Sequence, residues 1–196
     1  TDAEEFVPID HPLSFRGYMD RAFYSLLDPA LAPRAENRVF PDPKNPGAIQ
    51  RVIAARGGVD ACFGGIGING HIAFNEPGSS LSSRTRIKTL THDTRIANAR
   101  FFGNDPNKVP KTALTVGVGT VMDAQEVIIL VSGDGKARAL QKVVEEGVNH
   151  MWTVSQLQLH RHGMIVCDEE STHELKVGTV KYFKDIEGEH LALPML

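Results

Sequence analysis

Between Gly64 and Ser80 the chain reads "GGIGINGHIAFNEPGSS", with five glycines, two asparagines, one histidine and one glutamate. His71 can carry a proton near neutral pH. Asn69, two residues before it, and Glu76, five after, are placed to orient or polarise the imidazole. The preceding "VDACF" is apolar, so the glycines, Gly65 and Gly67 among them, follow a buried strand. Such a turn lets the backbone approach a ligand and can present N–H groups to an anion. It also serves simply to turn the chain, and His71 alone is equally explained as a structural histidine.

Basic groups follow. Lys136 stands after "SGDG" at the start of a helix, where a lysine beside N-terminal amides can clamp a phosphate. Arg100 closes the helix "DTRIANAR", where it either binds an anion or complements the helix dipole. Arg84, Arg86 and Lys88 alternate along "SSRTRIK", which puts them on one face of a strand, anion-binding or merely solvated.

These side chains need a frame. The spacing of Phe15, Tyr18, Met19, Ala22, Phe23, Leu26 and Leu27 predicts a helix over residues 11–27 with one buried face. A proline-rich connection holds a short strand at Arg38–Phe40. "AIQRVIAAR" reads as a helix stopped by Gly57 and Gly58, and "VDACFGGIG" as a strand running into glycines. "RTRIKTLT" alternates like a strand, and "DTRIANARFF" is a helix capped by Asp93. "TALTV" and "EVIILVSG" are buried strands, "DGKARALQKVVEEG" a helix opened by Asp134, "GMIVCDEE" a last strand and "STHELKVGTVKYF" a last helix. Alternating helices and strands apolar on both faces predict an α/β fold in three layers, with helices on both faces of a mainly parallel sheet. Ligands in such folds bind beyond the carboxyl ends of the strands, where Gly64–Gly70 and Ser132–Lys136 lie.

The 196 residues suit one domain, 1–196, and the net charge of −3 gives no reason to expect nucleic acid or a bilayer as partner. No apolar run reaches the roughly 20 residues of a membrane span, and no signal peptide is visible. Cys62 and Cys167 lie in apolar runs without a close motif, which predicts buried reduced thiols in a cytoplasmic protein.

From about Asp60 to Phe183, "GGIGINGHIAFNEPGSSLSSRTRIKTLT", "ANARFF", "VPKTALTVGVGTVMDAQEVIILVSG", "KARALQ", "EEGVNHMWTVSQLQLH" and "CDEESTHELKVGTVKYF" together resemble the glucosamine-6-phosphate deaminase family. "NGHIAFNEPGSS" separates that family from its lactonase relatives, which carry a "DGHTASLFP"-like loop. "HPLSFRGYM" looks like the family's helix after its catalytic acidic segment.

The resemblance implies conversion of glucosamine 6-phosphate to fructose 6-phosphate and ammonia, without metal or other cofactor. It makes His71 the ring-opening acid, Glu76 and Asn69 its partners, and Arg100 and Lys136 phosphate ligands. Ser79, Ser80, Arg86, Lys88 and Tyr182 match an activator site for N-acetylglucosamine 6-phosphate between subunits of a homohexamer. The general base falls on Asp2, or on Glu4 if "EEFV" matches the family's "DEYV". Many members have aspartate where Asn69 stands. The family's first strand, threonine- and glycine-rich phosphate loop and adjoining helix are expected to be missing from this chain.

Overall fold

The computed structural model describes residues 7, 11 and 13–188. In chain order its elements are α1 (Phe15–Ala22), α2 (Ala48–Ala55), β1 (Ala61–Gly65), β2 (Arg86–Thr89), α3 (His92–Asn98), β3 (Thr112–Thr115), α4 (Val118–Met122), β4 (Glu126–Val131), α5 (Ala137–Glu145), β5 (Gly163–Cys167) and α6 (Val177–Ile186), joined by short 3-10 turns. They divide between two units, one of residues 1–57 and 85–115, the other of 58–84 and 116–196.

The second unit carries the parallel sheet of the expected α/β class, in the order β1-β4-β5. Val127, Ile129 and Val131 alternate along β4 and are buried. They pack with Val118 and Val121 of α4, with Ala139, Leu140 and Val143 of α5, and with Val154 and Leu157 of the turn after it. Ile66 and Ile72 join this cluster from the loop after β1, so the core itself anchors both sides of the glycine turn. Phe63, Leu130, Met164 and Val166 point the other way and form an exposed apolar row across the three strands. Glu145, the last residue of α5, accepts hydrogen bonds from Lys176 N–H and the Thr179 hydroxyl, which fixes the start of α6.

The first unit departs from expectation in instructive ways. α1 forms, but none of its residues is buried, and Phe15 and Tyr18 are exposed. Periodicity defines a helix face and not what covers it. Arg38–Phe40 forms no strand: Arg38 instead donates to the Pro33 carbonyl and stacks on Tyr24. "TALTV" becomes β3, paired antiparallel with β2 and not added to the parallel sheet. The cap of α3 is Thr91, whose hydroxyl accepts from Thr94 N–H, and Asp93 sits within the first turn. The backbone leaves its extended conformation at Thr91, and that departure decides which polar residue caps.

In the second unit α5 starts after a 3-10 turn at Asp134–Lys136, and the Asp134 carboxylate meets His173 and caps nothing. Cys62 is half-buried and Cys167 exposed, both as free thiols, so the expectation of two buried cysteines fails for Cys167. Among the described residues no helix is long and apolar enough to cross a membrane.

Ile129→Ala removes a fully buried branched side chain and is expected to cost about 2–5 kcal/mol in denaturant unfolding. Leu130→Ala, its neighbour on the exposed face, should cost about 1 kcal/mol or less. Equal losses would mean that both faces of β4 are packed in solution.

Candidate active site

Parallel pairing sends the segments after β1, β4 and β5 out of the same edge of the sheet. After β1 the chain makes a tight turn, with Gly70 N–H bonded to Gly67 O and Gly67 N–H to His71 O, both at 2.9 Å. Gly70 lies at φ +72, where L side chains are strained, and a Cβ there would collide with Trp152. A Cβ on Gly67 would overlap the His71 imidazole. Glycine at 67 therefore makes room for the catalytic candidate itself. Gly65 has no such constraint, since a Cβ there meets only the Leu130 carbonyl at ordinary contact distance.

The three polar side chains predicted to cooperate come together. His71 Nδ1 lies 2.5 Å from Asn69 Oδ1, and Asn69 Nδ2 donates to Glu76 Oε2 at 3.0 Å. His71 Nδ1 is also 3.4 Å from Glu76 Oε2. The amide turns Nδ2 toward Glu76 and Oδ1 toward His71. An amide oxygen only accepts, so Nδ1 carries a proton and Nε2 is left to exchange one. Glu76 is 2% exposed, so its carboxyl group needs these partners.

A second layer holds the loop. Asn75, fully buried, donates to the carbonyls of Ile72 at 2.9 Å and Val116 at 2.7 Å. The Thr153 hydroxyl accepts from Ile72 N–H and donates to Asn75 O, each at 3.1 Å. Val154 N–H reaches Gly70 O and Gly78 N–H reaches His150 O, each at 3.0 Å. Ala73 is driven to φ +52, a conformation that costs a non-glycine residue energy and persists where neighbours over-determine it. Sequence reading singled out neither Asn75 nor Thr153. Asn75 lay beside Glu76 in "FNEP", where a second polar residue was a signal, but Thr153 offered none, because its partner is 81 residues away at Ile72.

Lys136 ends the turn after β4, on the same sheet edge as the histidine loop. Arg100 belongs to the other unit, in a turn after α3 where its guanidinium lies 4.7 Å from the centre of the Phe101 ring. Asp2 and Glu4 lie outside the described residues.

Of the activator-site candidates, Ser79 is buried and its hydroxyl has no hydrogen-bond partner among the described residues. Ser80 lines an open cavity of about 720 Å³ with Ser82, Arg84, Asp123 and His150. Tyr182 is exposed on α6. Arg86 and Lys88 share one face of β2, with burial pushing the Arg86 guanidinium down from its ordinary value. Arg84 precedes the strand and pairs with Asp123, so the expected three-residue basic face reduces to two.

No family model matches the chain. Glucosamine-6-phosphate deaminase of Phocaeicola vulgatus is 58% identical over 196 residues, covering 96% of this chain and 73% of the relative. That of Aeromonas hydrophila is 54% identical over 96% of this chain and 72% of its own length. Among solved structures, a monomeric glucosamine-6-phosphate deaminase of the NagB superfamily superposes with a TM-score of 0.76 at 33% identity, over 86% of this chain and 70% of that one. A 6-phosphogluconolactonase from Trypanosoma cruzi, 19% identical with a TM-score of 0.61 over 87% of this chain and 69% of that one, shares the fold. The resemblance carried by the histidine loop thus extends over nearly the whole chain, which belongs to the glucosamine-6-phosphate deaminase family.

Proposed function

We propose that the protein converts glucosamine 6-phosphate and water to fructose 6-phosphate and ammonia, in amino-sugar catabolism. The observation that carries this reading is an imidazole locked by Asn69 beside the buried Glu76, in a chain of this family. His71 donates a proton from Nε2 to the ring oxygen as the O5–C1 bond breaks. Nδ1–H remains on Asn69, which keeps the ring from turning. An amide brings no charge, so Glu76 balances the imidazolium. A carboxylate, Asp2 with Glu4 as the other candidate, then takes the C2 proton and returns it at C1. Water attacks the resulting C2 imine and ammonia leaves. Lys136 and Arg100 hold the phosphate, so that remote binding energy positions the reacting carbons. Gly65 lies along the substrate.

The same reading treats residues 1–196 as one catalytic domain working in the cytoplasm. Burial pushes the Cys62 thiol up, and free thiols at Cys62 and Cys167 fit a reducing compartment. We further propose a homohexamer activated by N-acetylglucosamine 6-phosphate, bound by Ser79, Ser80, Arg86, Lys88 and Tyr182 where copies of the chain meet. Two basic groups on one strand face support such a ligand. The solved relative is monomeric, which makes the oligomeric state decisive.

Ammonia and fructose 6-phosphate should appear in equal amounts from glucosamine 6-phosphate. Binding without turnover would instead favour a sugar-phosphate-binding protein of the same family. His71→Gln should lower kcat by about 10²–10⁴-fold with little change in affinity for a substrate analogue. A change in KM alone would contradict the acid role. Gly67→Ala should displace the imidazole and cost about 10²-fold in kcat, while the melting temperature stays near that of the wild type. For regulation, sigmoidal kinetics should become hyperbolic with the activator, and an Arg86→Ala, Lys88→Ala double variant should keep basal activity but lose activation. A monomer in solution refutes that scheme.

A further inference from the structure

The turn that carries Lys136 is held from outside itself. It leaves β4 through Ser132 and Gly133, the glycine at φ +86. Asp168, the residue after β5, accepts a hydrogen bond from the Ser132 hydroxyl at 2.5 Å. The same carboxylate takes Gly133 N–H on both oxygens, at 2.9 and 3.1 Å. Ser171 N–H adds a further bond at 2.9 Å, and the Ser171 hydroxyl returns to the Asp168 carbonyl at 2.9 Å. The Ser132 hydroxyl above all, then the Ser171 N–H, hold the Asp168 carboxyl well below the usual carboxylate range.

Gly133 relays the constraint. Its N–H is fixed by Asp168, and its carbonyl accepts Lys136 N–H at 3.0 Å, closing the turn that sets the direction of Lys136. A second strut joins His173 Nδ1 to Asp134 at 2.8 Å. Register makes this possible, because Val131 pairs with Cys167 and so puts the residues that follow each of them side by side. A bare carboxylate near a phosphate site would repel the ligand. Here three donors engage it, so it serves as an anchor.

We infer that Asp168 is a positioning residue for the phosphate end of the site, acting through Gly133 on Lys136. The inference rests on Lys136 being a phosphate ligand. It assigns to Asp168 a share of phosphate affinity, with no contact to the reacting carbons.

The test compares Lys136→Ala, Asp168→Ala, Asp168→Asn and the Lys136→Ala, Asp168→Ala double variant. Fructose 6-phosphate affinity is read by calorimetry, and KM and kcat with glucosamine 6-phosphate. Asp168→Ala should weaken fructose 6-phosphate about tenfold and raise KM similarly, with kcat within about threefold of wild type. Asp168→Asn keeps one acceptor oxygen and should lose less. In the Lys136→Ala background, Asp168→Ala should add less than about twofold, since both act on one contact. Full additivity, or a lower melting temperature with unchanged affinity, overturns the inference. If Asp168→Ala does not fold, Ser132→Ala removes one anchor bond and should weaken fructose 6-phosphate by about threefold, and unchanged affinity there overturns the inference as well. Weak binding by Lys136→Ala with normal binding by Asp168→Ala defeats the role of Asp168 alone. Normal binding by Lys136→Ala defeats the phosphate reading, and the inference with it.

Discussion

A carboxylate almost sealed from water must be paired, and the pairing of Glu76 governs the loop around it. The partner is Asn69, seven residues earlier, so the backbone between them has to fold back within a few ångströms. His71 sits inside that fold and is caught between the two side chains. The reversal requires glycine at 70 and a positive φ at Ala73, and the absent side chain at 67 leaves room for the imidazole. Asn75 and Thr153 then satisfy the carbonyls and N–H groups that the loop turns inward. Local strain is thus held by a buried polar network whose members are hydrogen-bonded to backbone, the condition under which such networks rigidify.

The parallel sheet supplies the second half of the arrangement. Three strands in one direction bring three connections to one edge, and each connection has a different task. The first carries an imidazole, the second a lysine, and the third a carboxylate hydrogen-bonded to the second. Turns of this kind have few internal contacts. Their geometry comes from the strand register beneath them and from side chains on the neighbouring connection. Burial of Val127, Ile129 and Val131 against α4 and α5 keeps that register, because a slip by one residue would turn every apolar side chain to the wrong face.

Where local reading and the fold differ, long-range partners explain the difference. The β-branched residues of "TALTV" predicted a buried strand; a strand forms, mostly half-buried, and since composition carries no information on direction, its antiparallel pairing with β2 was not foreseen. Arg38–Phe40 had a strand's composition and found no ladder. Asp93 and Asp134 had the chemistry of caps, yet the backbone turned one or two residues away from them. Arg84 alternated with Arg86 and Lys88 in sequence, but the strand begins only at Arg86.

The sequence by itself determined most of the elements, the family and the group of Asn69, His71 and Glu76, because glycine spacing and side-chain chemistry act over a few residues. It also marked Lys136 as a cation at a turn, since "SGDGK" is legible without a partner. Only the tertiary structure decided that Gly67 lies against the imidazole, that Thr153 and Asn75 brace the loop, and that Asp168 anchors the lysine turn. The long-range contacts among these join residues 35 to 81 positions apart. Strand register and core packing set such contacts, and neither can be read from local residue order.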